Sequence, residues 1–201
     1  MWNYRTPGIP DELFDRSEDV PMTKEEIRAL TISKARLKPG DNVIDVGCGT
    51  GSITVEAARQ VSPDGVVYAI DRERKAIALT QRNLSKFDLR DAVQLIHGEA
   101  TRALAKLPAV DAILIGSGGQ NVARIIDLSF KKLKSEGRIV VNSILLETSY
   151  TTINELKRLH FKHVEVVQVT IAKSMRIHQG TMMIARNPIT IISGVKPGKP
   201  K

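Results

Sequence analysis

Aromatic side chains are scarce: Phe, Trp and Tyr together make up 4% of the 201 residues. Single-stranded nucleic acid is held largely by stacking bases on aromatic rings, so this scarcity disfavours an RNA platform. Cysteine is rarer still. Cys48 stands alone, which excludes an internal disulfide, and no Cys/His cluster has zinc spacing, so no metal is expected. A reducing, cytoplasmic setting is the natural expectation. Long apolar runs are also missing. Residues 110–116, broken by Asp111, are far too short to span a bilayer, so no membrane partner is expected. Met1-Trp2-Asn3-Tyr4-Arg5 does not lead a cationic stretch into an apolar one, so no secretory signal is read.

Acidic charge is outnumbered, with 30 Lys and Arg against 22 Asp and Glu and a net charge of +8. Lys196, Lys199 and Lys201 sit in a Pro/Gly-rich tail, 195–201, that is expected to fray. The remaining excess suits an anionic small molecule, solubility or nucleic acid. With so few stacking rings, the first two rank above the third.

The length fits a single domain over 1–201 with a substantial core. Residues 1–20 lack a sustained period and read as an irregular arm. Thr23 and Glu26 have the spacing of a capping box, which predicts a helix ending at Pro39-Gly40. Strands are then predicted over 42–46, 66–70, 93–97, 112–115 and 138–142. They alternate with helices over 51–61, 72–87, 100–107, 122–133 and 149–159. Strict β-α alternation with strands apolar on both faces predicts a parallel sheet covered by helices. Segments 164–171 and 181–192 both read as extended, and the eight or nine polar residues between them are too few for a crossover helix. That pair is therefore expected to be antiparallel. The expected fold class is α/β and Rossmann-like: a seven-stranded, mostly parallel sheet with a C-terminal antiparallel hairpin, as in class I methyltransferases.

The run Asp45-Val46-Gly47-Cys48-Gly49-Thr50-Gly51 leads from a strand through a glycine turn into a helix. Glycines there permit a tight turn and close approach of a ligand to the backbone. Amides at the helix start can receive a carboxylate, and Asp45 can favour a cationic group. Asp71 ends the next strand, twenty residues beyond Gly51, the spacing at which an acid reaches the ribose hydroxyls of an adenosine cofactor. Asp71 read alone is equally a helix cap. An acid directly behind the loop suits an ammonium better than a pyrophosphate, which favours S-adenosyl-L-methionine over a nicotinamide dinucleotide. Glu99 and Ala100 close the third strand at the same edge and are expected near the adenine. Cys48 reads as a small turn residue.

The fourth strand runs into Gly116-Ser117-Gly118-Gly119, whose backbone donors could meet substrate anions, although plain flexibility explains three glycines nearly as well. Glu147 follows the fifth strand at the carboxyl edge, as a substrate contact or a helix cap. Lys173, Arg176 and His178 lie in the hairpin linker, as carboxylate binders or as a solvated turn.

Together these segments resemble the decarboxylating precorrin methyltransferases of cobalamin biosynthesis. The likeness runs from about Gly8 to Val195 and is carried by Gly8-Ile9-Pro10-Asp11, Pro21-Met22-Thr23-Lys24, the 45–51 loop, Ala69-Ile70-Asp71, Gly116 to Gly119, Ile144 to Thr148, Gly180-Thr181-Met182-Met183 and Arg186-Asn187-Pro188. The glycine loop is common to class I methyltransferases; the other runs are more specific. The resemblance implies methylation of a corrin precursor, cobalt-precorrin-6B, at C15 with loss of the C12 acetate carboxyl. It also implies Thr23 as a cofactor contact, a polycarboxylate tetrapyrrole partner and a homo-oligomer, a tetramer. No second glycine loop is present for a fused C5-methylating domain, and an unfused chain resembles the oxygen-independent, cobalt-early branch. The rival readings are a tRNA or protein methyltransferase of the same fold and a non-enzymatic adenosylmethionine-binding module.

Overall fold

A computed structural model describes residues 2–116 and 119–198. A 3-10 turn at Asp11–Leu13 precedes α1 (Glu25–Ala35), β1 (Val43–Val46), α2 (Ser52–Val61), β2 (Val67–Asp71), α3 (Arg74–Lys86) and β3 (Val93–His97). Then come α4 (Ala100–Lys106), β4 (Val110–Ile115), α5 (Val122–Lys132), β5 (Leu133–Ser143), α6 (Leu146–Arg158), β6 (Lys162–Val169), β7 (Ala172–Ile177), β8 (Gly180–Ala185) and β9 (Ile189–Val195).

Seven strands form one sheet in the order β3-β2-β1-β4-β5-β9-β6. The first five pair in parallel, and β9 lies antiparallel between β5 and β6. This is the class I methyltransferase arrangement expected from the β-α alternation. Period-two geometry explains why the central strands read as unbroken apolar runs. Ile44, Val46, Ile113, Ile115, Ile139 and Val141 point into one core with Leu104, Ile125, Ile126 and Leu156. Val43, Ala112, Leu114 and Val140 point into the other, with Ile27, Ile32, Ile53 and Ala57. Each buried Val, Leu or Ile among these contributes roughly 1.5–3 kcal/mol, set against the entropy of ordering the chain.

Two expectations change. The residues over 172–180 are not a loop: β7 pairs antiparallel with β8, from Ala172↔Ala185 to Ile177↔Gly180, as a separate two-stranded ribbon. The extended run 181–192 is therefore two strands, and it divides at Arg186-Asn187-Pro188, where Pro188 has no N–H to continue a ladder. The outer pairing holds, since β6 meets β9 antiparallel from Val169↔Ile189 onward. The β7 half carries no apolar period to mark it as a strand, because the ribbon's faces are largely solvent-exposed rather than core.

The capping box does not form. The residue preceding α1 is Lys24, without a side-chain cap, and Glu26 instead bonds Lys173 of β7 at 2.7 Å. Irregular backbone in the arm does not mean loose attachment. Ile9 and Phe14 are buried against Val55, Leu84 and Phe87, and Glu56 accepts from the amides of Gly8 and Ile9 at 2.9 and 3.0 Å. At the other end Lys196 Nζ donates to the carbonyls of Phe130 and Leu133, at 2.7 and 2.6 Å, anchoring the start of the basic tail. Lys199 and Lys201 lie outside the described residues.

Candidate functional site

Strand register gathers the singled-out residues at one edge. Val46 pairs with Ile70 on one side and Ile115 on the other, and Asp71 pairs with His97. Gly47, Asp71, Gly98 and Gly116 therefore leave the sheet at nearly the same level. The order reverses between β1 and β4, the crevice where open α/β sheets take ligands.

A cavity of about 540 Å³ opens there, within the range of small-molecule sites. Thr23, Asp45, Gly47, Cys48, Gly49, Asp71, Glu99, Ala100, Gly116 and Gly119 all line it. Thr50 and Gly51 do not. Gly51 instead allows helix packing, since a Cβ there would lie 2.7 Å from Thr80 Cγ2. Gly49 has a φ of 57° and a Cβ would meet the Pro21 carbonyl at 2.7 Å, so the arm, as well as any ligand, requires a glycine.

The loop is held from behind by residues the sequence reading passed over. Thr80 Oγ1 donates to the Gly49 carbonyl at 3.1 Å, and Asn83 Nδ2 to the Thr50 carbonyl at 2.8 Å. The available signal was polarity at positions 80 and 83 within the apolar stripe of α3. Asp71 bonds the loop directly: one carboxylate oxygen accepts from Gly49 N and the other from Glu73 N, each at 2.9 Å. Each oxygen keeps acceptor capacity for a ligand.

Asp45 is buried and accepts from Thr54 Oγ1 at 2.6 Å. Burial pushes its carboxyl up to about 7, the Thr54 bond opposes the rise, and the Asp71 charge adds to it. A buried acid poised there gains strongly from a cation placed beside it. Cys48 is buried 3.4 Å from Thr80 Oγ1, and burial, followed by the Asp45 charge, pushes its thiol well above the ordinary range. Both effects disfavour the thiolate, the form that reacts as a nucleophile.

A smaller cavity of about 360 Å³ adjoins the first, and Pro21, Thr23 and Gly116 line both. Met22, Lys24, Asn142, Arg186 and Asn187 line the smaller one. The structure does not bring Glu147 or Arg176 to either cavity. Glu147 is exposed in the first turn of α6, and Arg176 is exposed on β7 opposite Thr181. Lys173 is engaged by Glu25 and Glu26 at 2.6 and 2.7 Å. Ser117 and Gly118 lie outside the described residues. Asn142 lies near the end of β5, where the sequence pattern marks only a strand; Arg186 reaches this edge because the chain returns through the ribbon before its antiparallel strand, which spacing along the sequence does not reveal.

A family model described as precorrin methyltransferase domain matches residues 12–196. A protein of Saccharolobus solfataricus named probable cobalt-precorrin-6B C(15)-methyltransferase (decarboxylating) is 51% identical, over 98% of this chain and 99% of that one. A solved structure from Methanobacterium thermoautotrophicum, precorrin 8W decarboxylase, superposes with a TM-score of 0.88 at 40% identity, covering 92% of this chain and 98% of that one. A precorrin-6Y C5,15-methyltransferase from Geobacter metallireducens also reaches 0.88, at 35% identity over 96% and 100% of the two chains.

Proposed function

The chain belongs to the precorrin methyltransferase family, and on that premise we propose that it methylates C15 of cobalt-precorrin-6B with loss of the C12 acetate carboxyl, in cobalamin biosynthesis. The observation that carries this reading is the wall of Pro21, Thr23 and Gly116 common to two adjoining cavities. A methyl donor in one and the edge of a macrocycle in the other would meet at that wall, which is what direct transfer requires.

The larger cavity fits S-adenosyl-L-methionine by its donor set. Asp45 favours the cationic aminoacyl end, Asp71 retains lone pairs for ribose hydroxyls, and Gly98, Glu99 and Ala100 line the end suited to adenine. When bound, this donor supplies an electrophilic methyl group on a sulfonium. Breaking the acetate's C–CO2 bond releases neutral carbon dioxide and leaves its electron pair conjugated with the macrocycle. An equivalent pair at C15 would form the bond to the methyl carbon, and the pair of the broken S–C bond would remain on sulfur as the thioether. One negative and one positive charge disappear together. The chain's residues need only orient the ligands and exclude water, a task that demands no covalent nucleophile.

A cytoplasmic homo-oligomer, a tetramer by family likeness, completes the reading. Association of copies is supported by the apolar surface on the ribbon, where Met175, Ile177, Met182, Met183 and Ile184 are exposed. A single-chain mass by light scattering would remove that part. The function is tested by incubation with cobalt-precorrin-6B and adenosylmethionine. The expected product, by mass, has gained one methyl and lost one carbon dioxide. Cofactor binding without any change of the tetrapyrrole would overturn it in favour of a non-enzymatic module.

A further inference from the structure

The smaller cavity has a one-sided charge pattern. Lys24 and Arg186 line it, and among the described residues no carboxylate does. Arg186 directly follows β8, and its backbone N–H donates to the Ile171 carbonyl at 2.9 Å, so the base of the ribbon fixes where its side chain begins. Its Nη1 is buried and has no hydrogen-bond partner among the described residues. The nearest acid, Glu26, stands 3.7 Å away, close enough for ionic attraction but too far for a hydrogen bond, and Glu26 Oε2 is equally unpartnered. The other Glu26 oxygen is taken by Lys173. That nitrogen is directed at Glu26, while the rest of the side chain, 35% exposed, lines the cavity and keeps N–H donors for an anion there. The planar fork of arginine matches a carboxylate in two-point contact.

We propose that the smaller cavity is a carboxylate subsite in which Arg186 grips a side-chain carboxylate of the macrocycle that the product retains. This rests on the function proposed above and specifies how its substrate is held. Retention follows from the chemistry. Charge-assisted bonds to a departing carboxylate stabilise the anion and weaken as its charge moves onto carbon, so gripping that group would raise the barrier. The departing acetate is therefore placed away from Arg186, toward the apolar lining of Met22, Ile144 and Ile171. Arg186 acts as an anchor that sets register, and its loss falls on substrate capture.

Arg186→Gln and Arg186→Lys, each in the full chain, test this with two probes. In steady-state kinetics with cobalt-precorrin-6B, Arg186→Gln should raise KM about tenfold, the loss of one charge-assisted contact, and change kcat by less than about twofold. Arg186→Lys should recover part of the loss. Uroporphyrin, a polycarboxylate macrocycle, should bind Arg186→Gln more weakly than the parent, whereas its methyl ester should bind both alike. Unchanged adenosylmethionine affinity shows that the variants are folded. An unaltered KM and uroporphyrin affinity, or a fall confined to kcat, would overturn the subsite. If the parent protein fails to turn over the precorrin yet uroporphyrin still discriminates Arg186, the proposed function falls and the subsite stands.

Discussion

In the proposed site, Asp45 would join burial to cofactor capture through its raised carboxyl. Between its ordinary value near 3.8 and the folded value of about 7, the folded chain keeps a proton that the unfolded chain has lost. Its contribution to stability is thus fully present in acid and is lost as pH rises through that window, at a slope of up to about 1.4 kcal/mol per pH unit. Asp45→Asn should consequently raise the melting temperature of the ligand-free protein at mildly alkaline pH and flatten its decline. The same change should weaken adenosylmethionine binding, because the anion that meets the cation is gone. In the parent, affinity should climb as pH rises through about 7. Calorimetry across that range checks both arms, and a pH-independent affinity would remove Asp45 from the site. Asp71→Ala should cost about 1.5–3 kcal/mol of cofactor affinity for each charge-assisted ribose bond lost. It also frees the Gly49 amide that Asp71 now satisfies, so some loss of stability should accompany it. Equal cofactor dissociation constants for variant and parent would leave Asp71 with only its loop bond.

Helices and parallel strands were legible because their packing is written in local periods. Val43 to Val46 is apolar on both faces, apart from Asp45, because helices cover both, and the glycine loop follows from φ values that other residues rarely adopt. Distal partners were not legible. Glu26 looked like half of a capping box at three-residue spacing, yet it bonds Lys173, which is 147 positions further along. Of the ribbon, β8 falls within the run that reads as extended, whereas β7 has the look of a linker because its residues are largely exposed and carry no core period. Thr23 is where this difference becomes measurable. As a helix cap it would contribute about 1 kcal/mol to stability; without that bond, Thr23→Ala should change stability by less than about 0.5 kcal/mol. Since Thr23 lines both cavities, cofactor affinity should nevertheless fall. Calorimetry and thermal melts on one variant separate the two roles, and a stability loss with unchanged affinity would restore the cap.

Across the whole molecule, the N-terminal arm decides whether two cavities exist as neighbours. With Gly116, Pro21 and Thr23 form their common wall, and among the described residues that segment joins neither sheet. Beside the packing of Ile9 and Phe14, one fully buried guanidinium ties it down. Arg28 Nε donates to Glu56 Oε1 at 3.1 Å and Nη1 to Asp11 Oδ1 at 2.8 Å. The same side chain donates to the carbonyls of Ile9 and Thr23, and its guanidinium carbon lies 4.7 Å from the Phe14 ring centre. Five parts of the chain, from Ile9 to Glu56, thus converge on a single α1 residue. Buried ion pairs add little net stability over a well-packed apolar substitute, but removing one partner strands the other charge. Arg28→Met keeps much of the volume, strips the buried Glu56 carboxylate of its cation and leaves Asp11 with only Lys24, at 3.8 Å. The expected cost is about 3–5 kcal/mol. Because these contacts tie arm to body, the first response should be local: protease cleavage within residues 1–20 before global unfolding. Adenosylmethionine affinity should fall with it, since the wall at Pro21 and Thr23 would lose its tether. Limited proteolysis beside calorimetry resolves the order of events. A variant with the parent's protease resistance and affinity would mean that the packing of Ile9 and Phe14 alone holds the arm in place.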